Sequence, residues 1–201
     1  LIETLIASLI LSKMKLSIEI WKIKIHKKSY NIKPLFKLWC IYPVLFMSIL
    51  YIIFQIMILY HNYNYLSFQR IFKDILIYSY MLLGMNILIK NETYKPFIIS
   101  CGSLLTGFGL NGLAMYFNNN IMPIYPDVSY STGYTNYDMI INSTQFGDFH
   151  ILGNHETNLI FLCDVFDFGG SIWSVGDIFI RLYAFIIVYY SIKTINSINK
   201  K

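Results

Sequence analysis

Apolar residues in this chain fall in long runs separated by polar stretches. Leu38 to Tyr60 is the clearest run, 23 residues without a charge. About 20 apolar residues let a helix cross the hydrocarbon core of a bilayer, so a spanning helix is expected over 38–60. Pro43 sits near its start, where proline disturbs a helix least. Similar runs predict spans over 72–89, 96–117 and 171–192. The opening run from Leu1 is shorter. Extended to residue 16, with Lys13 and Lys15 reaching to the interface, it gives a short first span over 1–16. The expected fold is therefore all-α: a multi-pass transmembrane helical bundle of about five spans, with residues 1–201 as one integral membrane domain.

Two polar stretches stand apart from these runs. Residues 17–37 alternate Ile with Lys, as in Ile18-Glu-Ile-Trp-Lys-Ile-Lys-Ile. Period-2 alternation is a strand signal. It also suits a segment lying on lipid headgroups, or a plain cytoplasmic loop. Residues 118–170 are long and polar, with Pro123 and Pro126 imposing extended or turn geometry. This stretch is expected to be an irregular extracytoplasmic segment, within which Leu159–Phe168 is a re-entrant or interfacial piece.

Composition sharpens the picture. The chain is 56% hydrophobic and only 13% charged, against about 25% charged residues in soluble domains. The mean hydropathy of +0.51 agrees. Eight lysines lie between Lys13 and Lys37, beside one acid, Glu19. From Asn118 to Gly170 there are six acids and no Lys or Arg. A split of this kind, flanked by apolar spans, reads as membrane sidedness rather than as a nucleic-acid arm. The 13–37 loop, the Lys90–Lys95 turn and the C-terminal lysines fall on the cytoplasmic side. The 118–170 segment falls outside, as does the N-terminus. The localisation expected is the cell membrane, with the C-terminus in the cytoplasm.

Candidate chemistry is sparse. Ser174, Asp177 and Arg181 share one helix face. If the last span opens at Ser171, Arg181 lies about 15 Å in, near mid-bilayer, where an unpaired charge costs roughly 2.5–3.5 kcal/mol. The pair Asp177/Arg181 fits an ion, proton or substrate site, or a buried structural ion pair that fixes helix register. His155, Glu156, Asp164 and Asp177 are expected near the outer mouth of the spans, where one histidine among carboxylates could bind a metal or relay a proton, although the spacings match no metal motif; His150 has less support. Asn111 is expected to hydrogen-bond between helices.

Residues 107–112 match GxGxxG, but no strand precedes them and they lie in an apolar run, so the glycines read as a packing face. The three cysteines form no paired motif. No catalytic motif, metal-ligand spacing or cofactor fingerprint is present, and none of these is expected.

The series Asn111-Gly-Leu, Met122-Pro, His155-x-Thr157, Leu162-x-Asp164 and Ser174-x-Gly-Asp177 resembles a family of small multi-pass membrane proteins from clostridia-like Gram-positive bacteria, known as a domain of unknown function. The resemblance covers mainly 104–190. It implies a membrane location, points to His155, Thr157, Asp164, Ser174 and Asp177, and supplies no activity. The function expected is a non-enzymatic binding or partner subunit, whose partners are the bilayer and a membrane protein or a second copy held through the Gly102–Gly112 face. The alternative is a small transporter or ion-conducting protein using Asp177 and Arg181. A third reading is a membrane enzyme with His155 and Asp164 as acid and base.

Overall fold

The computed structural model describes residues 1–13, 19–20, 23–24, 30–60, 66–138, 140 and 150–199. It is mostly helical. Helix α1 covers Ile2–Lys13, α2 Ile41–Leu59, α3 Leu66–Gly84, α4 Tyr94–Phe117, α5 Asp127–Ser131 and α6 Val175–Ile198. A π-helical turn, Met85–Ile89, continues α3. Among the described residues six short strands accompany them: β1 Glu19–Ile20, β2 Ile23–Lys24, β3 Met122–Ile124, β4 His150–Leu152, β5 Phe166–Asp167 and β6 Ile172–Trp173.

Four segments, 41–58, 71–89, 94–117 and 175–198, are helices long and apolar enough to cross a membrane. The expected first span is shorter: α1 has 12 residues, about 18 Å of helix against a core of about 30 Å. Residues 14–16, which would extend it, lie outside the described residues. Along α2, Tyr42, Phe46, Ile49, Ile53 and Ile56 form an outward stripe at helical spacing, each at least 41% exposed. On α4, Ile98 and Leu105 are exposed as well. A soluble surface rarely carries an apolar stripe of this length, whereas lipid is its natural solvent.

Local chemistry sets the helix ends. Helix α4 closes with Asn119 and Asn120 in the left-handed region, at φ 57° and 61°. The Asn120 N–H donates to Met115 O at 2.8 Å, the long bond of a Schellman turn. After the π-helical turn the chain reverses in the same way, with Glu92 left-handed and Thr93 N–H donating to Leu88 O at 2.7 Å. The last helix begins four residues later than the apolar run suggests, because the β5–β6 hairpin uses the intervening residues. Phe166 pairs with Trp173 and Asp167 with Ile172 around the Gly169-Gly170 turn. Gly169, at φ 76°, supplies the left-handed residue that this tight turn requires.

The chain forms two compact units. The first holds residues 1–48, 76–101 and 181–201. Tyr80 and Tyr183 are fully buried there. The Tyr80 hydroxyl donates to Leu1 O at 3.0 Å, and that of Tyr183 to Ile77 O at 3.0 Å. At Gly84 an added Cβ would lie 3.0 Å from Phe97 and 3.2 Å from Ile187, so α3, α4 and α6 converge on it. Asn196 then ties the end of α6 to the segment before α2: it accepts from Asn31 N–H at 2.8 Å and donates to Asn31 O at 2.7 Å. Tyr30 N–H donates to Ser12 O at 2.9 Å.

The second unit holds residues 49–75 and 102–180. Phe54 stacks on Phe72, with centroids 5.0 Å apart. The segment after α4 is less irregular than expected. Strand β3 pairs in parallel with β4, Met122 opposite His150 and Ile124 opposite Leu152. Asp164 bridges to Ile124 on the other edge. Ala114, Met122, Leu162 and Cys163 form a buried apolar cluster beneath them. Within 159–168, Leu162 and Cys163 are therefore core, while Phe161 and Phe168 are exposed. At the period-2 stretch, β1 and β2 pair as two-residue antiparallel strands. The remainder of that stretch is outside the described residues.

Candidate functional site

Helix α4 has two faces. Ser100, Ser103, Gly107 and Ala114 are buried and follow one another at helical spacing, with Asn111 half-buried between the last two. Ser103 Oγ donates to Phe179 O at 2.8 Å. A Cβ on Gly107 would lie 2.6 Å from Gly176 O, and one on Gly176 would run into Asn111 Oδ1 and Gly107 O. Only two glycines allow the backbones of α4 and α6 this close. On the opposite face Gly102, Gly109 and Gly112 have nothing within 4 Å of a Cβ position among the described residues. The glycine run thus divides: Gly107 packs within the chain, and the other three lie open.

Asn111, Ser174 and Asp177 meet at this crossing. Ser174 precedes α6 and caps it: its Oγ accepts from Asp177 N–H at 3.0 Å. The same hydroxyl donates to Asn111 Oδ1 at 2.7 Å. Asn111 Nδ2 completes the ring by donating to Asp177 Oδ1 at 3.3 Å. Asp177 sits in the first turn of α6, where the helix dipole favours a carboxylate. Three candidate residues are therefore brought together, in an arrangement that locks two helices. Arg181 follows on the same helix. Since α6 opens at Val175 rather than Ser171, Arg181 lies about 9 Å from the helix start rather than 15 Å.

Asp164 is the other centre. It is 5% exposed, and its backbone is held on β3 by Asp164 N–H to Pro123 O at 3.1 Å and Tyr125 N–H to Asp164 O at 3.0 Å. Its carboxylate lies 3.4 Å from Nε2 of His150, whose side chain is 42% exposed. Burial pushes the Asp164 carboxyl above its ordinary pKa. His150 and Lys73 pull it down, Asp177 pushes it further up, and the net shift is upward. Burial and the Asp164 charge together raise the neighbouring Cys163 thiol.

The histidine beside Asp164 is thus His150, whereas the sequence favours His155. His155 and Glu156 are exposed on a turn. Thr157 belongs to that turn's own frame: its Oγ1 accepts from Asn154 N–H at 2.9 Å, and Asn154 Oδ1 accepts from Glu156 N–H at 2.9 Å. Among the described residues no three His, Cys, Asp or Glu side chains could hold a metal ion.

Two further polar groups escape sequence reasoning. Asn118 and Asn158 clasp each other: Asn158 N–H donates to Asn118 Oδ1 at 2.9 Å, and Asn118 Nδ2 donates to Asn158 O at 2.8 Å. Asp167 anchors α5 by accepting from Ser129 N–H at 2.7 Å and Ser129 Oγ at 2.5 Å, and it also accepts from Gly169 N–H at 2.8 Å. Burial opposes the Asp167 charge, but these bonds outweigh it and hold its pKa below the ordinary value. The signal for the clasp is faint: an asparagine just past a predicted helix end, and a second within a loop.

No curated protein matches the chain, and no solved structure matches it. The profile of a family of unknown function, DUF5317, matches residues 32–189, which take in α2 to α5, the first part of α6 and both polar centres. The chain is a member of that family of unknown function.

Proposed function

We propose that the protein is a non-enzymatic integral membrane subunit that binds a membrane partner or a second copy of itself through the open face of α4. The observation that carries this reading is the division of the α4 glycines. Gly107 is consumed by α6, while Gly102, Gly109 and Gly112 present a face with open space around it among the described residues. Small residues let helix backbones approach closely in lipid, so such a face suits another helix. The transport reading draws less support. Asn111, Ser174 and Asp177 satisfy one another at a helix cap.

The proposed arrangement puts the lysine-rich segments in the cytoplasm and residues 118–170 outside. The four long helices alone meet these sides. A fifth crossing by the first segment, with the N-terminus outside, completes the arrangement. Contacts within the first unit support the cytoplasmic grouping, since Asn31 from one lysine-rich segment meets Asn196 near the C-terminal one.

Reconstitution into liposomes tests the reading. The subunit account expects no ion or proton flux, and a detergent-solubilised complex that Gly109→Leu dissociates while the protein stays folded. Flux that Asp177→Asn abolishes in a folded protein would replace it with the transport account.

A further inference from the structure

The Asp164–His150 contact joins two elements that share no direct backbone bond among those described. Strand β3 lies between them: Gly153 N–H donates to Ile124 O at 3.0 Å on the β4 side, and Tyr125 N–H donates to Asp164 O at 3.0 Å on the other. The two side chains reach across β3 to within 3.4 Å. One partner is buried and the other is open to water, with side chains 8% and 42% exposed. We propose that Asp164 and His150 form a proton-binding site that latches the outer segment, so that seating β4 and Asp164 on the two edges of β3 takes up a proton shared by the pair.

Both partners act in the same direction. A carboxyl moved out of water binds its proton more tightly. A histidine brought beside a carboxylate also binds its proton more tightly. The seated form therefore holds more protons than the open form. It is favoured in acid and loses ground as pH rises through the range in which the pair titrates. Charged groups on the other packed elements do not reverse this. Lys73 from α3 favours the Asp164 carboxylate, Asp177 from α6 disfavours it, and the net shift stays upward. Strand β3 contributes no ionisable side chain. Asn111 on α4 carries no charge, and the Cys163 thiol is held protonated by the same burial. This inference rests on the fold of the outer segment and not on what α4 binds.

Hydrogen exchange on the full chain in nanodiscs tests it, with rates normalised to intrinsic exchange. The amides of Tyr125, Gly153 and Asp164 are expected to keep their protection below about pH 6.5, where the open form's histidine already holds a proton, and to lose it as pH rises above that value. Uptake of one proton gives a slope approaching tenfold per pH unit. The Phe168 amide of the β5–β6 hairpin is the control and is expected to stay level. Asp164→Asn and His150→Gln are each expected to flatten the slope. Level protection in the native chain, or an unchanged slope in both variants, overturns the proposal. Imidazole NMR of the native chain gives a reading that needs no variant at the site. His150 is expected to titrate above the unperturbed value of about 6.5. Titration of His150 at or below that value would also overturn it.

Discussion

Replacing Gly107 by Ala puts a methyl group where α4 meets the start of α6. The new carbon would lie 2.6 Å from Gly176 O, 2.7 Å from Ile180 Cγ1 and 3.0 Å from Ile180 N. Carbon contacts settle near 3.5 Å, so the two helices must part by roughly 0.5–1 Å, which forfeits a quarter to a half of each contact they share. Overpacking of this kind costs about 1–3 kcal/mol. Parting also stretches the Ser103–Phe179 bond and the Asn111 ring, at about 0.6 kcal/mol per interhelical bond in membranes. The gain in helix propensity on replacing Gly returns about 0.5–1 kcal/mol. The net loss is about 1–3 kcal/mol, or roughly 3–10 °C in Tm for a chain of this size.

The buried thiol of Cys163 is 0% exposed, so a thiol-reactive dye follows unfolding in detergent directly. Gly109→Ala is the control, because nothing among the described residues lies within 4 Å of its Cβ position. It is expected to hold or gain stability. If Gly107→Ala and Gly109→Ala melt together, the close crossing is not what holds these helices.

Three other outcomes follow from the same geometry. Asn118→Ala leaves the Asn158 N–H without its side-chain acceptor and removes the donor to Asn158 O. It is expected to destabilise by about 1–3 kcal/mol, whereas Asn158→Ala keeps the main-chain groups that Asn118 holds, removes only the bond from Asn158 Nδ2 to Phe117 O, and should add to the Asn118→Ala effect in a double-mutant cycle. Asp167 has a depressed pKa, so its contribution is present above the ordinary carboxylate value of about 3.9 and is lost as pH falls through its lower value in the folded chain. Limited proteolysis near α5 should accelerate in strong acid, and Asp167→Asn should show that faster cleavage at neutral pH as well. Tyr183→Phe removes the bond to Ile77 O inside a fully buried site and should lower stability by about 1–2 kcal/mol in the same melting assay.

The long helices are legible in the sequence because lipid demands continuous apolar runs. The 38–60 and 96–117 runs become α2 and α4 with ends shifted by at most three residues. Other boundaries move for reasons that hydropathy does not carry. Helix α3 begins at Leu66, ahead of Gln69, Arg70, Lys73 and Asp74, because a helix continues through polar residues as readily as through apolar ones. Helix α6 starts after Ser174, where the cap is made, and runs on to Ile198.

In the candidate site, Ser174, Asp177 and Asn111 are readable from helical spacing and from the rule that polar groups in lipid must find partners. His150 is not readable. It reaches Asp164 only through the parallel pairing of β3 with β4, and residues so far apart in sequence leave no periodic trace of parallel register. His155 draws attention because it lies within an acidic stretch, yet its turn holds it at the surface.

The central claim is that lipid surrounds the four long helices and that the two polar ends face opposite compartments. Single cysteines in a background freed of Cys40, Cys101 and Cys163 test it with a membrane-impermeant thiol reagent on intact cells. Tyr137→Cys, at a position 62% exposed in the outer segment, is expected to label from outside. Asn91→Cys, exposed in the lysine-bearing turn, is expected to label only after the membrane is opened. Labelling of both positions from the same side, or recovery of the chain in a detergent-free supernatant, would contradict the account.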